Sequence, residues 1–536
     1  MSTTNPVARI RAKAPKDLII LLPGEKHKKE TYEDRRRLVN QRFDYYPYGI
    51  ALCQTTAHVA FCIKECVKEN VKPRIRSGGH HHEGMSSYNN ILLIDLSGLN
   101  KIEYVDENKA WIPPGKKLKD VYEELEKKGW IIPGGVCDSV NVGGLTQGVG
   151  WGISTRKLGY TCDNIEAAEI VKADGKPIIV SRKSNDSNKD GSSDKTDESC
   201  KGLFWAIRGG GGGNFGVVTR FLFRLSPLAG VMTRFVLTYA KQDTRRAMHH
   251  WANYQLDLAY DENVTIGGRL SVVAGNQARL TLAGLYYGDL AELQSAIQPL
   301  LDPKPEKIEY TIINRPLKPT SNSEPTAILD CPLSATIGYL GDVFNPTAPK
   351  SKPIVHLAAS DQSTKAPTNT CEGRHPNKVS SAFPKNNDPA TITALVDTTV
   401  NYIEQSQYHS DLNNYVSLHG IGGKSQLAPA GGTPYPFRDK PFIYKIQAWW
   451  NDASDPDRNE RYVQWVRDFK KAIAPHTDGA FTNFQDKDLV ENPDTPEGRI
   501  ALLEQYYKEH LSDLQKVKKK YDSDNLFDFG MSIPLP

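Results

Sequence analysis

The sequence predicts an α+β fold in two parts, of which the first has short strands and helices and the second is built on longer strands. From about Gly49 to Leu225, short apolar runs of strand type alternate with helix-like stretches. From Thr233 onwards the apolar runs are longer and are mixed with helices. The composition agrees with a folded chain, since 39% of the 536 residues are hydrophobic and 24% are charged.

Individual segments carry these expectations in chain order. We expect strands at residues 91–95, 167–173, 264–274, 279–286 and 442–450, and helices at residues 118–128 and 496–521. Two polar stretches, residues 181–201 and 345–387, are rich in residues that favour turns and predict surface loops. A second domain is expected to begin near residue 227.

Charge, apolar runs and cysteines exclude several classes of protein. The net charge is 67 − 63 = +4 with acids and bases interleaved, so nothing favours a nucleic-acid partner. No run reaches the eighteen apolar residues of a membrane span, and the start lacks the apolar stretch of a secretory signal. We expect a cytoplasmic protein, or a secreted one if a signal was trimmed. Eight cysteines are too few for a disulfide scaffold.

Cys62 and Cys66 are four residues apart in a helix-like stretch, and this spacing leaves two interpretations open. They could share one helix face as metal ligands or redox partners, or they could be small buried thiols. No further Cys/His pair follows at zinc spacing, so we expect no metal site.

Three glycine-rich segments are the main functional signal. They are RSGGHHHEG at residues 76–84, GGVCDSVNVGGLTQGVGWG at residues 134–152 and LFWAIRGGGGGNFGVVT at residues 203–219. Glycines allow backbone N–H groups to approach an anion or a flat ligand closely. The spacing is not that of a Rossmann dinucleotide fingerprint. Three such segments together predict a binding site for a large ligand with a pyrophosphate.

In order along the chain, these segments resemble the berberine bridge enzyme-like flavoproteins of the vanillyl-alcohol oxidase/p-cresol methylhydroxylase superfamily. The resemblance rests on SGGH at 77–80, GVC at 135–137, the glycines of 143–152, Tyr160 with Asp163-Asn164, and FWAIRGGGGGNFG at 204–216. It continues through YKIQ at 444–447, NFQD at 483–486, Asn525, Phe527 and SIP at 532–534, so it covers nearly the whole chain.

The resemblance implies a two-lobed FAD-binding domain of the p-cresol methylhydroxylase type and a substrate domain with an antiparallel sheet covered by helices. The expected division is residues 1–226 and 476–536 for the FAD-binding domain and residues 227–475 for the substrate domain. It also implies two covalent bonds to FAD. One joins His80 to the 8α-methyl group of the flavin, and the other joins Cys137 to C6 of the flavin. Further cofactor-binding residues implied are Arg76, Ser77, Gly78, Gly79, Gly84, Gly143, Gly144, Gly148, Gly152, Asp163, Asn164, Gly213, Asn214, Val218, Asn483 and Asn525.

The sequence departs from the family pattern at several places. Leu145 stands where a histidine is common, and Val149 stands where a glycine is common. Phe481 and Phe484 occupy the two positions of the usual tyrosines, one of which is thought to act as the base. A phenyl ring cannot accept a proton.

The remaining catalytic candidates are Gln447, where some members place a carboxylate, and Tyr444 and Tyr160 as polar partners. The expected activity is FAD-dependent oxidation of a bulky secondary metabolite, with hydride transfer from a C–H bond to flavin N5 and reoxidation by dioxygen to hydrogen peroxide. Three alternatives remain open: a carbohydrate oxidase acting at the anomeric hydroxyl, a flavin-binding protein with altered catalysis, and a dehydrogenase that does not react with oxygen. A small-molecule substrate and dioxygen are the expected partners, with no nucleic acid and no membrane.

Overall fold

Short strands and helices alternate through the first part of the chain, up to residue 227. The computed structural model describes residues 5–181, 202–228, 230–257, 261–315, 333–344, 374–429 and 431–536. The strands are β1 (Ile19–Leu21), β2 (Lys26–His27), β3 (Glu30–Thr31), β4 (Gly49–Leu52), β5 (Pro73–Arg76), β6 (Leu92–Asp95), β7 (Glu103–Asp106), β8 (Lys109–Ile112), β9 (Trp130–Ile131), β10 (Ile165–Val171), β11 (Pro177–Ser181), β12 (Val217–Arg224) and β13 (Ser226–Pro227). The helices are α1 (Pro6–Ala12), α2 (Tyr32–Arg36), α3 (Thr56–Lys68), α4 (Leu118–Glu126), α5 (Val142–Gln147), α6 (Thr155–Leu158) and α7 (Leu203–Ala206).

Two sheets organise this first part, as expected for a two-lobed domain. One has the order β1-β4-β6-β5, and β4, β6 and β5 run parallel. The other has the order β11-β10-β12-β8-β7 and is antiparallel. Helix α4 packs through Leu118, Val121, Tyr122 and Leu125, which are buried and recur at helical spacing.

The second part is a single large sheet covered by helices. Its strands are β14 (Gly230–Thr238), β15 (Val264–Val273), β16 (Gln277–Tyr286), β17 (Lys307–Arg315), β18 (Asn377–Pro384), β19 (Leu412–Gly420), β20 (Phe442–Trp450) and β21 (Thr477–Asp478). Their order is β17-β14-β16-β15-β19-β20-β18-β21, and every pairing is antiparallel. Its helices are α8 (Thr244–Leu256), α9 (Leu290–Ala296), α10 (Leu333–Phe344), α11 (Pro389–Gln405) and α12 (Pro456–Ile473), and the C-terminal residues add α13 (Pro496–Tyr507) and α14 (Leu511–Tyr521).

Strand β20 is buried on both faces, and its residues alternate between them. Tyr444, Ile446 and Trp450 belong to the apolar core under α8, α11 and α12. Lys445 and Trp449 lie on the other face and border a cavity between the two parts. This alternation decides which side chains of the strand take part in the site.

The C-terminal residues return to the first part of the chain. Lys518 of α14 donates from Nζ to the carbonyl oxygen of Asn214 at 2.8 Å, and the Ile533 amide donates to Asn214 Oδ1 at 2.9 Å. We keep the division into residues 1–226, 227–475 and 476–536 as a proposal, which these contacts support. Within the described residues, no helix has the length and apolar character needed to cross a bilayer.

Most predicted elements are confirmed, and two predictions are wrong. The strand expected at residues 442–450 has these bounds, and the helix expected at 118–128 is Leu118–Glu126. Residues 345–387 were expected to be loops, but Asn377–Pro384 forms a fully buried strand, while residues 345–373 lie outside the described residues. The last helix is broken at Lys508, which has φ 47°. The loop expected at 181–201 lies outside the described residues apart from its first residue.

Candidate functional site

A large cavity opens where the loop after β5, helix α5, the glycine loop before β12 and the ends of β19 and β20 meet. Its walls come from both parts of the chain. Glycines and small residues line one region, and aromatic side chains line another. Among the described lining residues the charged side chains are Arg74 and Lys445, and none is an aspartate or glutamate.

The loop after β5 begins at a buried ion pair. Arg76 Nη2 lies 2.6 Å from Asp95 Oδ2, which joins the ends of the parallel strands β5 and β6. Burial alone would raise the pKa of Asp95, but the guanidinium of Arg76 and the hydrogen bonds from Ser97 hold it below its usual value. Ser77 then donates its hydroxyl to the carbonyl oxygen of Pro114. The loop that carries His80 is therefore held firmly at its start.

His80 and Cys137 line the same cavity from neighbouring loops. His80 Nε2 lies 3.0 Å from the carbonyl oxygen of Ser139 and 3.3 Å from its hydroxyl oxygen. Burial lowers the pKa of His80 to about 4, against a smaller opposing effect of the Ser139 carbonyl. The imidazole is neutral at neutral pH with its hydrogen on Nε2, so Nδ1 carries the lone pair.

The glycines form a thin backbone wall around the cavity. A Cβ added at Gly143 would lie 2.8 Å from Pro114 Cβ, and one at Gly78 would lie 2.9 Å from Asn141 Oδ1. A Cβ at Gly144 would meet no heavy atom within 4 Å, because that position faces open space. Gly211 and Gly213 have φ 86° and 74°, conformations that glycine adopts without strain. Backbone therefore reaches the cavity directly on both sides.

Two asparagines hold the glycine segments in place. Asn483 accepts from the Gly150 amide at 2.9 Å and donates to the carbonyls of Gly144 and Leu145 at 3.3 and 3.2 Å. Asn214 donates to the carbonyl of Gly210 at 3.0 Å and accepts from the C-terminal tail. Both side chains line the cavity, but their polar atoms serve the loops.

A second group of polar side chains follows His80. His81 Nδ1 accepts from the Glu83 amide at 3.1 Å, so its Nε2 carries the hydrogen and donates to Gln485 Oε1 at 2.7 Å. That bond fixes the Gln485 amide and leaves its NH₂ group to act as a donor elsewhere. His82 Nδ1 lies 3.2 Å from Asn377 Oδ1. Burial lowers the pKa of His81 to about 4 and, together with the charge of Lys445, lowers that of His82 well below its usual value.

Six rings form what we call the aromatic wall: His82, Trp151, His419, Trp449, Phe481 and Phe484, all of which line the cavity. The ring centroids of Trp151 and His419 are 4.1 Å apart, and those of His419 and Phe484 are 5.6 Å apart. Lys445 Nζ lies 4.5 Å from the centroid of Phe484, a cation–π contact. The phenyl ring at this tyrosine position therefore supports a cation.

Twelve of the predicted cofactor-binding residues line the cavity: Ser77, Gly78, Gly79, His80, Cys137, Gly143, Gly144, Gly148, Gly213, Asn214, Val218 and Asn483. The other six do not: Arg76, Gly84, Gly152, Asp163, Asn164 and Asn525. Their roles are in the surrounding structure. Asp163, for example, pairs with Arg438 through both carboxylate oxygens, at 2.6 and 3.0 Å.

None of the three predicted catalytic residues lines the cavity. Tyr444 lies on the opposite face of β20, in the core under the helices, so its hydroxyl is excluded as a base for a substrate there. Tyr160 is buried with its hydroxyl 3.5 Å from that of Tyr435. Gln447 lies one layer behind the wall, where it accepts from the Trp449 indole at 3.1 Å and donates to Ser417 at 2.7 Å.

Lys445, Trp449 and His419 line the cavity although the sequence reasoning did not select them. Lys445 and Trp449 stand two residues on either side of Gln447, so strand alternation places all three on one face. The two-residue alternation of a strand could therefore have identified Lys445 and Trp449 from the position of Gln447. His419 gave no such signal, because its place depends on the pairing of β19 with β20.

The residues present fit the expected FAD. The open side of Gly144 and the glycine backbone opposite it leave room for a flat, phosphate-bearing ligand. A neutral histidine and a cysteine outside any disulfide lie in the same cavity, and both are of the residue types that bond to flavins.

Two family models match the chain. Residues 47–181 match an FAD binding domain, and residues 480–534 match a domain described as berberine and berberine like. The first contains the loop of His80 and helix α5, and the second contains Phe481–Gln485 of the cavity wall and the C-terminal tail.

Relatives and solved structures agree with these models. The chain is 26% identical over 507 residues to the uncharacterized FAD-linked oxidoreductase YgaK of Bacillus subtilis strain 168, covering 94% of each chain. It is 27% identical over 510 residues to tetrahydroberberine oxidase of Berberis wilsoniae, covering 91% of this chain and 85% of that one.

Two solved structures share the fold over almost the whole length. Physcomitrella patens BBE-like 1 superposes with a TM-score of 0.75 at 20% identity, covering 99% of both chains. Glucooligosaccharide oxidase from Acremonium strictum, a protein with a 6-S-cysteinyl, 8α-N1-histidyl FAD, superposes with a TM-score of 0.73 at 19% identity, covering 99% of both chains.

Proposed function

Because the chain belongs to the berberine bridge enzyme-like FAD-linked oxidoreductases, we propose that it is an oxidase of bulky secondary metabolites. It removes a hydride from a carbon–hydrogen bond of the substrate, and dioxygen takes up the electrons to give hydrogen peroxide. One observation carries this proposal: His80 and Cys137 lie in the same cavity as the aromatic wall. A tethered cofactor and a site for a large planar molecule are thus adjacent.

The cofactor is held by two covalent bonds, one to His80 and one to Cys137. His80 supports its part because Nε2 faces the Ser139 carbonyl, so Nδ1 is the nitrogen with the lone pair. Ser139 also offers a hydroxyl at 3.3 Å, so Nε2 has a partner in either protonation state. Cys137 follows Gly135 and Val136 on a loop that lines the cavity, two residues before Ser139.

The residues of the chain supply binding, positioning and charge. The bound flavin supplies a two-electron acceptor whose potential the protein tunes. The glycines at 143–144 and 211–213 bring backbone against the cofactor, while Asn483 and Asn214 hold those segments. Gln485, fixed by His81, offers its NH₂ group as a donor for a substrate oxygen.

The aromatic wall favours a planar substrate over a sugar. Offset and edge-to-face contacts with rings are worth about 0.5–1.5 kcal/mol each beyond the area buried. An oligosaccharide would bury many hydroxyls, each of which needs a partner. Of the rings in the wall, Phe481 and Phe484 have no polar atom, and the indole nitrogens of Trp151 and Trp449 already donate within the protein. Carbohydrate oxidation at the anomeric hydroxyl therefore ranks second.

Covalent attachment is tested on purified protein by acid precipitation. The yellow colour should stay with the precipitated chain, and His80→Ala or Cys137→Ala alone should retain it through the other bond. The double variant should release FAD into the supernatant. Cys66→Ala, which removes a buried thiol of α3 that does not itself line the cavity, is the matched control and should keep the colour. A colourless wild-type pellet would sink the covalent proposal.

The substrate class is tested by peroxide release. A panel of aromatic and alkaloid-like alcohols is compared with a panel of oligosaccharides at equal concentration. Turnover by the first panel alone supports the proposal, and turnover by the second alone replaces it with the carbohydrate alternative. Flavin that neither panel bleaches without oxygen would favour a flavin-binding protein with altered catalysis.

A further inference from the structure

His419, at the end of β19, is a buried polar side chain of the cavity that makes no described hydrogen bond through its ring nitrogens. It is 3% exposed and lines the cavity. Neither Nδ1 nor Nε2 has a hydrogen-bond partner among the described residues. Leaving a buried donor or acceptor unpaired is unfavourable, so such a group is rarely kept without a use.

The three other histidines of the site differ in this respect. His80 contacts Ser139, His81 contacts Gln485, and His82 contacts Asn377. In each of them at least one ring nitrogen has a partner in the protein. His419 alone among these four presents both nitrogens without a described partner.

The ring of His419 is nevertheless held in place. Its centroid lies 4.1 Å from that of Trp151 in an edge-to-face contact, and 5.6 Å from that of Phe484. Trp151 is fixed in turn, because its indole nitrogen donates to the Gly420 carbonyl at 3.0 Å. The imidazole is therefore oriented by packing, with its hydrogen-bonding capacity left for a ligand.

We propose that His419 is the general base of the oxidation, accepting the hydroxyl proton of the substrate, an inference that rests on the proposed oxidase function. It fills the role left open by Phe481 and Phe484. When the carbon–hydrogen bond breaks, its electron pair leaves as a hydride to the flavin. The oxygen–hydrogen bond breaks as well, its electron pair forms the second carbon–oxygen bond, and the proton goes to the imidazole.

The charges around the ring suit this role. Burial, together with the positive charge of Lys445 on the neighbouring strand, lowers the pKa of His419 well below its usual value. The base is therefore unprotonated throughout the neutral range. A weak base suffices, because loss of hydride turns the alcohol into a protonated carbonyl, a strong acid. The same surroundings then favour return of the proton to solvent.

The test compares two probes on the holoprotein, p-nitrophenol and its methyl ether p-nitroanisole, by perturbation of the flavin absorbance. We expect wild type to bind the phenol at least about tenfold more tightly, a difference of about 1.4 kcal/mol. His419→Phe should abolish this preference, whereas His419→Gln, which keeps a hydrogen-bonding group, should retain part of it. His409→Gln is the matched control, because His409 precedes β19 at the end of the strand away from His419.

Proton transfer is tested with any alcohol of the panel that bleaches the flavin. His419→Gln should slow anaerobic flavin reduction by about 10²–10⁴-fold. Added imidazole should restore part of the rate in His419→Ala, which a purely structural role would not produce. An unchanged phenol preference in His419→Phe, no phenol binding by wild type, or unslowed reduction in His419→Gln would each overturn the inference. If no alcohol bleaches wild-type flavin, the proposed function fails, while the two probes still decide whether His419 meets a substrate hydroxyl.

Discussion

Replacing Gly144 by alanine should separate cofactor binding from folding. Gly144 lies inside α5 and lines the cavity, and a Cβ built on it meets no heavy atom within 4 Å. The methyl group therefore causes no clash within the protein, and alanine is favoured over glycine in a helix by about 0.8–1.0 kcal/mol. At the neighbouring Gly143, by contrast, the Cβ would lie 2.8 Å from Pro114 Cβ and 2.9 Å from Ser77 Oγ.

The same methyl group should oppose the cofactor. An extra methyl in a closely packed contact costs about 1–3 kcal/mol, which corresponds to an increase of about 5- to 150-fold in the Kd for FAD. The measurement needs reversible binding, so both variants are made in the background that lacks His80 and Cys137. FAD affinity is read from the quenching of flavin fluorescence, and stability is read from thermal unfolding of the apoprotein.

The expected result is a pair of opposite effects. Gly144→Ala should leave the apoprotein melting temperature unchanged or slightly raised while it weakens FAD binding. Gly143→Ala should lower the melting temperature, because its neighbours must move. Equal Kd values for FAD with and without Gly144→Ala would refute the inference that this backbone faces the cofactor. A lower apoprotein melting temperature in Gly144→Ala would refute the conclusion that a methyl group at this position meets no protein atom.

Three further perturbations have defined outcomes. Lys518→Met leaves the buried Asp522 carboxylate without the ammonium group that lies 2.7 Å away. This should lower the free energy of unfolding by about 3–5 kcal/mol in a denaturant titration. A loss below about 1 kcal/mol would contradict this prediction. Apoprotein stability should fall as the pH drops from about 6.5 to 4, because unfolded imidazoles bind protons that His80 and His81, with pKa about 4, do not. The stability of a His80→Gln/His81→Gln variant should fall less over the same range. Gln447→Leu removes the hydrogen-bond acceptor of the Trp449 indole in the aromatic wall. It should raise KM for an alcohol that reduces the flavin, without changing the flavin content. An unchanged KM would refute the idea that Gln447 positions Trp449 for substrate binding.

Strands with a clear run of apolar residues could be located from the sequence alone. Strand β20 was predicted with its observed bounds because nine largely apolar residues stand between turn signals. Strand β18 was missed because its composition is that of a loop. Tertiary contacts stabilise it: Lys378 pairs with Glu83 at 2.7 Å, and Ser381 accepts from the Phe481 amide at 2.9 Å. No property of the segment by itself shows those partners.

The candidate site divides in the same way. The glycine segments and His80 could be predicted, because each is recognised from a short run of consecutive residues. The aromatic wall could not, because it joins Trp151, residues 481–484 and the ends of two paired strands. Tyr444 was selected from the correct strand but lies on its other face. A residue type at a motif position indicates a role only when the face of the strand is also known.

The charge pattern of the cavity extends this argument to the substrate. The small net charge of the chain, +4, says nothing about the cavity, where the described lining residues include Arg74 and Lys445 but no carboxylate. Lys445 already lowers the pKa values of His82 and His419. A substrate ammonium would meet the same positive potential and would gain no ion pair from the described wall. Neutral and phenolic alcohols should therefore outrank cationic alkaloids in the peroxide panel, and a reversed order would contradict this expectation.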